Sequence, residues 1–310
     1  SFTVAEDKQI FKCFWCGKGG NAITFLMEIE RIDYRDALTM MARDYNIDVA
    51  SYQRNPSDGS SQERQEKKND IKTINTLSQE FFVRSFEDAH IAREYIYDKR
   101  KLTDEIVRRF GIGYAPESHY QLIEYLRSKG CDPQAMVQAG VAKEWNNGGD
   151  RYAFFRDRVT FPIKDQFGTI VGFGARALHP EQMPKYLNTT ETPLYDKSKI
   201  LFGLDLAKQH LNQLWHLFIV EWYMDVIAMH QYGLPVAIAT CGTALTQQHI
   251  KVLQRHTQKL VFLFDSDAAW REATARALKL CFQADLFPLV FPLPAGYKDI
   301  DEFLTAQGKQ

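Results

Sequence analysis

The chain has 310 residues, of which 45% are hydrophobic and 25% are charged, and its formal net charge is −1 at pH 7. A chain of this size and composition can bury sizeable cores, so we expect two or more domains. No apolar run is long enough to span a bilayer and no signal peptide is visible, which predicts a cytosolic protein. Because the net charge is so small, any contact with nucleic acid must come from a local basic patch.

The N-terminal segment carries two cysteines in CxxC spacing, Cys13 and Cys16, in a pattern typical of a short ribbon followed by two amphipathic helices. A redox pair would need a surrounding thioredoxin-like βαβ pattern, which is not visible, so half of a zinc site is favoured. Aromatic residues alternate here with lysines: Phe2, Phe11 and Phe14 with Lys8, Lys12 and Lys18. This mixture suits stacking on single-stranded bases, and it equally suits the miniature core of a ribbon.

The segment Ser51–Asp70 contains almost no aliphatic residues, which is the composition of a linker, with a helix expected to start near Gln62. A helical pattern with Leu77, Phe81 and Phe82 on its apolar side follows. Further along the chain, the next helix is expected to begin and end at two positions that suit helix caps. These are Thr103 and Gly111.

Between Arg151 and Ile200 the pattern changes to strands, with RVTFPIKD and TIVGFGAR separated by a turn at Phe167 and Gly168. This segment contains eight Lys or Arg residues against five acidic residues, a local balance of +3. A solvated face is the ordinary interpretation of any single lysine, but the excess predicts a basic groove suited to phosphates.

Three acidic clusters, each at the end of an apolar run, are the most informative pattern. They are Glu221 with Asp225, Asp265 with Asp267, and Asp299 with Asp301. Short apolar runs predict buried strands of an α/β sheet, which binds ligands at the C-terminal ends of its strands. Neighbouring carboxylates repel one another unless cations neutralise them, and oxygen-rich sites suit Mg²⁺ or Mn²⁺. Acidic residues follow strands in many proteins, but three clusters in order favour a metal site.

This E…DxD…DxD series resembles the Toprim domain of primases, topoisomerases and some nucleases. Other motifs resemble those of bacterial DnaG-type primases in particular. CFWCGKGGNAITFLMEIE looks like the second half of that family's zinc-binding domain. RDRVTFPIKDQFGTIVGFGAR, PKYLNTTETPLYDKSKILFGL, VEWYMDVIAMHQYGL and CGTALT follow in the order of its RNA-polymerase core. The resemblance runs from Ser1 to about Leu304.

The resemblance implies a multidomain fold of α/β and α+β type. Its expected parts are a partial zinc ribbon (1–50), a linker (51–70), a mixed N-terminal core subdomain with a basic template groove (71–215), and a Toprim α/β subdomain with a largely parallel sheet (216–310). In the family, a Cys and a His upstream of the segment matching Ser1–Val4 complete the zinc site. The first histidine here is His90, so we expect Cys13 and Cys16 to form a Zn²⁺ half-site.

The resemblance also implies roles for individual residues. The acidic clusters match the family's catalytic site, with Asp265, Asp267 and Asp299 as expected Mg²⁺ or Mn²⁺ ligands and Glu221 as a further ligand or an acid/base. Asp225 and Asp301 match the same site. Positions linked in the family to template, nucleotide or primer contact are Arg100, Arg176, Lys185, Tyr186, Asn188 and Lys197.

The implied activity is DNA-directed synthesis of short RNA primers from NTPs on single-stranded DNA, by metal-dependent nucleotidyl transfer, for replication. The implied partners are the single-stranded DNA template, NTPs, the RNA primer and a replicative helicase. The family's helicase-interaction domain lies C-terminal to the matched segment. The expected location is the cytoplasm, at the replication fork.

Two other functions remain open from the sequence. A Toprim nuclease or topoisomerase would share the acidic clusters but should lack PKYLN and the zinc ribbon. A catalytically impaired single-stranded-DNA-binding remnant is favoured only by three tryptophans at positions where the family has glycine, Trp15, Trp222 and Trp270. Tryptophan is the steric opposite of glycine, so we expect crowding at these positions. We hypothesise that the source lineage reads UGA as glycine at these codons.

Overall fold

A computed structural model describes residues 2–30, 32, 34–45, 47, 59–145, 150–264, 268–294, 296–297 and 299–308. The chain divides into two compact units, Ser1–Gln65 and Glu66–Gln310. Among the described residues, no helix is both long enough and apolar enough to cross a membrane.

The first unit contains a small antiparallel sheet followed by two helices. Its elements are β1 (Phe2–Ala5), β2 (Ile10–Cys13), β3 (Gly19–Asn21), α1 (Ala22–Glu30) and α2 (Tyr34–Asp44), with the strands in the order β1-β2-β3. The Phe11 ring is buried between those of Phe2 and Phe25, with centroids 5.7 and 5.1 Å away. Phe14 is exposed. Of the three ribbon phenylalanines singled out in the sequence, Phe11 is therefore a core residue, and Phe2 covers it while remaining half exposed.

Helix α3 (Gly59–Asp88) spans the boundary between the units in the sequence. Residues 59–70 of the expected linker are therefore helical, whereas residues 51–58 lie outside the described part of the chain. The early start has a physical reason, because Gln, Glu, Arg and Lys dominate this stretch and all have high helix propensity. Further along α3, Phe82 is buried against Phe173 and Phe155, with ring centroids 5.2 and 6.4 Å away.

The N-terminal half of the second unit joins short helices to an antiparallel sheet. The helical elements after α3 are α4 (His90–Arg93), a π-helix (Glu94–Lys99), α5 (Asp104–Phe110), α6 (Gln121–Ser128) and α7 (Pro133–Gln138). Thr103 and Gly111 cap α5 as the sequence predicts: the Thr103 side chain accepts from the N–H of Ile106, and Gly111 has a φ of 64°.

The strands of this half form a four-stranded sheet, in the order β4-β7-β8-β9, and a separate two-stranded ribbon, β5-β6. Their bounds are β4 (Gly113–Ala115), β5 (Ala142–Glu144), β6 (Arg151–Ala153), β7 (Arg158–Lys164), β8 (Ile170–Ala177) and β9 (Tyr186–Asn188). The predicted turn between β7 and β8 is confirmed, with Gly168 at a φ of 83°. In the register of β8 and β9, Gly174 faces Asn188 and Arg176 faces Tyr186.

The C-terminal half is built on a five-stranded sheet in the order β10-β12-β11-β13-β14. The strands are β10 (Leu201–Phe202), β11 (His216–Val220), β12 (Ala237–Thr240), β13 (Lys259–Phe264) and β14 (Phe287–Pro292). The helices are α8 (Leu204–Ala207), a 3₁₀ turn (Lys208–His210), α9 (Leu211–Leu214), α10 (Tyr223–Gln231), α11 (Gln247–Leu253), α12 (Ala268–Phe282) and α13 (Ile300–Gln307).

Strands β11 to β14 run parallel, and β10 pairs antiparallel with β12. The expected largely parallel sheet is therefore confirmed. Of the parallel strands, the one that comes first in the sequence, β11, lies between β12 and β13, so the sheet grows on both sides of it. The crevice beyond the C-terminal ends of β11 and β13 is the topological switch point, where open α/β sheets bind ligands.

Candidate active site

Four of the six predicted acidic residues lie near this edge of the parallel sheet. Glu221 directly follows β11, and Asp225 is in the first turn of α10. Asp299 precedes α13, and Asp301 is in its first turn. The remaining two, Asp265 and Asp267, follow β13 in the sequence and lie outside the described residues.

Two of these carboxylates are held by backbone N–H groups at helix starts. The buried Asp225 accepts a hydrogen bond of 2.9 Å from the N–H of Trp222. Asp299 is the N-cap of α13 and accepts from the N–H of Glu302 at 2.8 Å. Such caps satisfy backbone donors that a helix leaves without partners, and the helix dipole favours a negative charge there. The local chain thereby fixes the positions of both carboxylates.

Asp301 and Arg100, which the sequence assigns to different roles, form an ion pair. The Asp301 side chain is 3% exposed and that of Arg100 is 18% exposed. Burial raises the pKa of Asp301, and the Arg100 guanidinium opposes that change. Arg100 Nε also donates to the hydroxyl of Tyr95 at 2.6 Å. The pair thus ties the start of α13 to the end of the π-helix.

The Arg176 side chain of β8 lies in a stack of aromatic rings. The Arg176 guanidinium lies 4.3 Å from the ring centroid of Tyr95 and 5.9 Å from that of Tyr186. The Tyr186 ring stacks in turn on Trp222, with centroids 4.4 Å apart and an interplanar angle of 13°. A cation over a ring face is attracted by the ring quadrupole, so the stack holds Arg176 in one orientation.

Both basic and acidic side chains influence the pKa of Lys185. Partial burial lowers the pKa of Lys185, and the neighbouring Arg176 and Arg100 lower it further, whereas Asp299 and Glu221 act in the opposite direction. Two cations from the N-terminal half and two carboxylates from the parallel sheet therefore act on one amine. Charged groups of both halves therefore influence Lys185.

The other two predicted contact residues lie apart from this stack. The Asn188 side chain accepts from the hydroxyl of Tyr223 at 2.9 Å and donates to the carbonyl of Cys241 at 3.0 Å. Lys197 is half-buried and within electrostatic range of Cys241, at the end of β12. Asn188 is therefore engaged in contacts between the two halves.

Sequence reasoning missed two members of the stack as functional residues. Tyr95 lies in the π-helix, and no pattern in a helical stretch marks one ring as a partner for Arg176, about eighty positions further on. The sequence predicts only that Trp222 crowds its surroundings. Its backbone φ of −119° is extended, which any residue adopts, and its ring is accommodated on Tyr186.

A polar cavity of about 750 Å³ lies in the N-terminal half of the second unit. Lys143, Arg156 and Tyr152 are among its lining residues. The Tyr152 ring packs against Trp145 at 4.4 Å and carries the Arg156 guanidinium at 5.3 Å. Rings beside cations suit single-stranded nucleic acid. Only the charge count of this region pointed to it in the sequence.

In the first unit, Cys13 and Cys16 lie side by side at the end of the β2 strand. Hydrogen bonds from Cys16 and from the backbone of Trp15 lower the pKa of Cys13. N–H groups directed at a thiolate are suited to zinc ligation, so the donors present fit one half of a tetrahedral site. Trp15 is 89% exposed. The expected crowding at Trp15 is therefore wrong, because its side chain points to solvent, and the side chain of Trp270 lies outside the described part.

The parallel sheet with carboxylates at its switch point, together with the basic antiparallel sheet beside it, defines a Toprim-containing catalytic core. Three family models match the chain: the CHC2 zinc finger over residues 1–57, the N-terminal domain of the DNA primase catalytic core over residues 81–208, and a Toprim-like domain over residues 218–304. The chain belongs to the family of DnaG-type DNA primases.

Several relatives support this membership. The DNA primase of Clostridium acetobutylicum is 36% identical over 311 residues, covering 100% of this chain and 50% of the relative. That of Pseudomonas aeruginosa is 39% identical over 282 residues, covering 90% and 42%. The chain thus spans about half the length of the curated relatives it matches.

Solved structures agree with this grouping. The zinc-binding and RNA-polymerase domains of Aquifex aeolicus primase match with a TM-score of 0.73 at 32% identity, over 100% of this chain and 73% of that one. A DnaG primase catalytic domain bound to single-stranded DNA matches with a TM-score of 0.72 at 34% identity, over 79% of each chain.

Proposed function

We propose that this chain carries the primer-synthesising core of a DNA primase, which makes short RNA primers from NTPs on single-stranded DNA by metal-dependent nucleotidyl transfer. The observation that carries the proposal is the contact between the basic sheet and the carboxylate segments. Tyr186, which lies beside Arg176, stacks on Trp222, the residue after Glu221. Arg100 pairs with Asp301 at the start of α13. A template-directed polymerase needs cations beside a carboxylate site, because the phosphates must lie close to the metal ions.

The donors at the sheet edge fit a divalent cation, because carboxylate oxygens are the ligands that Mg²⁺ and Mn²⁺ prefer. Glu221 and Asp299 act on the same amine, and Asp265 and Asp267 follow the neighbouring strand. Among the described residues alone, no three His, Cys, Asp or Glu side chains lie close enough to hold a metal. We propose that Asp265 or Asp267 contributes to the site as well. Bound there, the metal ions would neutralise phosphate charge and lower the pKa of a primer 3′-hydroxyl.

The chain's own residues bind and orient the substrates. Arg176 is held by the aromatic stack, so it can bind a phosphate without first losing side-chain entropy. Lys185 is exposed beside it and supplies a second cation at the same place. Glu221 contributes as a metal ligand or as an acid/base.

The cavity beside Tyr152 and Arg156 is the proposed path for the single-stranded template. Its rings can stack on bases of any sequence and its cations can contact the backbone. The similar catalytic domain bound to single-stranded DNA supports this ligand class.

The test is incorporation of labelled ribonucleotides on single-stranded DNA with Mg²⁺ or Mn²⁺. We expect short RNA products that disappear when the template is omitted or the metal is chelated. Asp299→Asn should abolish the products and leave the fold intact, because asparagine is an equally good N-cap. Nicking or relaxation of DNA without ribonucleotide incorporation would favour a Toprim nuclease or topoisomerase. Template binding with neither activity would favour a non-catalytic remnant.

A further inference from the structure

Two cross-strand pairs of β8 and β9 lie next to each other on one face of the sheet: Gly174 with Asn188, and Arg176 with Tyr186. Side chains two residues apart on a strand point to the same face of the sheet. The phosphate-binding Arg176 therefore shares its face with Asn188. A residue of the parallel half that packs on the Gly174–Asn188 pair would therefore set the distance from Arg176 to the parallel sheet.

Tyr223, the first residue of α10, docks on the first position. A Cβ atom at Gly174 would lie only 2.2 Å from the Tyr223 ring, so the ring occupies the space that the glycine leaves. The same ring packs against Phe202, with centroids 4.5 Å apart, and is 3% exposed. Only glycine at position 174 permits this approach.

Asn188 completes the contact through both ends of its amide. Its oxygen accepts from the Tyr223 hydroxyl at 2.9 Å, and its nitrogen donates to the Cys241 carbonyl at 3.0 Å. The next residue, Gly242, has a φ of 74°, and a Cβ there would lie 2.8 Å from the Asn188 nitrogen. One side chain thus joins β9 to the starts of two segments that follow strands of the parallel sheet.

The N-cap of α10, Trp222, contacts the second of these positions. Trp222 stacks on Tyr186 and Tyr223 binds Asn188, so two consecutive residues contact neighbouring positions on one face of the β8–β9 pair. Glu221 directly precedes this pair of contacts, and Asp225 lies two residues after it. The α10 start, which carries both carboxylates, is therefore seated directly on the basic sheet.

We propose that Tyr223 and Asn188 are positioning residues that set the distance between the basic stack and the carboxylates, and that Asn188 acts through Tyr223 rather than on the nucleotide. The proposal rests on the proposed function for its kinetic test. Displacement of reacting groups by about 1 Å can slow an enzyme about a hundredfold. Loss of the Tyr223–Asn188 hydrogen bond should therefore lower kcat and leave substrate affinity intact.

Tyr223→Phe retains the ring and removes the hydroxyl. We expect kcat for primer synthesis to fall about 10- to 100-fold, with KM for NTP and Kd for single-stranded DNA within about twofold. Tyr125→Phe is the matched control, because it removes a half-buried phenolic hydroxyl that donates to Glu80 and belongs to a different core cluster. It should be as stable as Tyr223→Phe in thermal unfolding and retain wild-type kcat.

A double-mutant cycle separates positioning from direct nucleotide contact. If Asn188 acts through Tyr223, Asn188→Leu should lower kcat to a similar extent, and the double variant with Tyr223→Phe should be no slower than Asn188→Leu alone. Multiplying effects, an unchanged kcat in Tyr223→Phe, or the same fall in Tyr125→Phe would overturn the proposal. A raised KM for NTP in Asn188→Leu would also overturn it, in favour of a nucleotide contact.

Hydrogen exchange gives a readout that is independent of activity. Tyr223→Phe should speed exchange of the amides of residues 221–226, at the start of α10, and Tyr125→Phe should not. Unchanged protection in Tyr223→Phe would overturn the positioning role. A wild-type protein that makes no primers would instead count against the proposed function, and the exchange measurement would still decide the role of Tyr223.

Discussion

The two sheets of the second unit hold their functional side chains in different ways. In the parallel sheet, Asp225 and Asp299 follow strand ends and accept hydrogen bonds from backbone N–H groups at helix starts. In the antiparallel sheet, Arg176 and Tyr186 project from the strands themselves and are held by ring stacking. A capped carboxylate is positioned by its immediate neighbours in the chain, whereas a stacked cation depends on residues far away in the sequence. The acidic half is therefore set locally and the basic half by tertiary contacts.

This contrast predicts that chemistry and binding can be separated by mutation. Asp265→Ala should abolish primer synthesis and leave affinity for single-stranded DNA about unchanged, because the expected role of this carboxylate is to hold a metal ion. Glu272→Ala, which removes an exposed carboxylate on α12, is the control and should remain active. The measurements are labelled-ribonucleotide incorporation and fluorescence anisotropy on one template. Loss of DNA affinity in proportion to activity would refute the metal-ligand assignment.

The next largest effect is expected at the buried ion pair between the two halves, Arg100 with Asp301. Asp301→Asn would leave Arg100 without its carboxylate in a largely buried position, which typically costs about 3–5 kcal/mol of unfolding free energy. Asp299→Asn, two residues earlier, preserves the N-cap and should cost less than about 0.5 kcal/mol. Urea unfolding of both variants measures the difference. Equal unfolding free energies of the two variants would mean that the Arg100–Asp301 pair does not stabilise the contact between the two halves.

A pH dependence is expected in the parallel half through two buried histidines. Burial lowers the pKa of His230 and of His249 to about 4. His249 Nδ1 accepts from the Thr246 N–H and its other nitrogen bonds the Ile200 carbonyl, so the neutral ring is the one that fits.

Because the folded-state pKa lies below the unfolded value, the stability contributed by these histidines is present above about pH 6.5 and is lost as pH falls towards 4. Each histidine should account for roughly 3 kcal/mol of that loss. Urea unfolding between pH 8 and pH 4 measures it, and His249→Gln should flatten the profile. A profile that is equally steep in that variant would assign the loss to other groups.

The sequence predicted the parallel sheet and its edge correctly because these features are local. Apolar runs ending in acids specify strand, turn and helix start within about ten residues, as at Glu221 and Asp225. The stack around Arg176 could not be predicted in the same way, because its partner Tyr95 lies on a π-helix and only the folded chain brings them together. For the same reason no local pattern indicates that the Asn188 amide bonds Tyr223 and Cys241.

The basic half should show itself in the salt dependence of binding. Arg176→Ala and Lys185→Ala should each weaken binding of nucleic acid or NTP and reduce the slope of log K against log salt by about one, if the contact is to phosphate. Lys251→Ala, an exposed lysine on α11, is the charge-matched control and should leave the slope unchanged. Titrations at four salt concentrations are sufficient. Wild-type slopes and affinities in both test variants would argue against a basic groove.

The smallest expected effect on stability concerns Trp222, which lies where the two halves touch. Trp222→Gly removes the stack on Tyr186, and such aromatic pairs contribute about 0.5–1.5 kcal/mol beyond their buried area. Glycine is tolerated at an N-cap, so little further loss is expected from the backbone.

If this indole nevertheless occupies space that phosphates need, the double change of Trp222 and Trp270 to glycine should raise ribonucleotide incorporation although it lowers stability. UGA at the codons for positions 15, 222 and 270 would support reassignment to glycine. UGG codons, together with equal primer yield from both proteins, would show that the tryptophans are native parts of a working site.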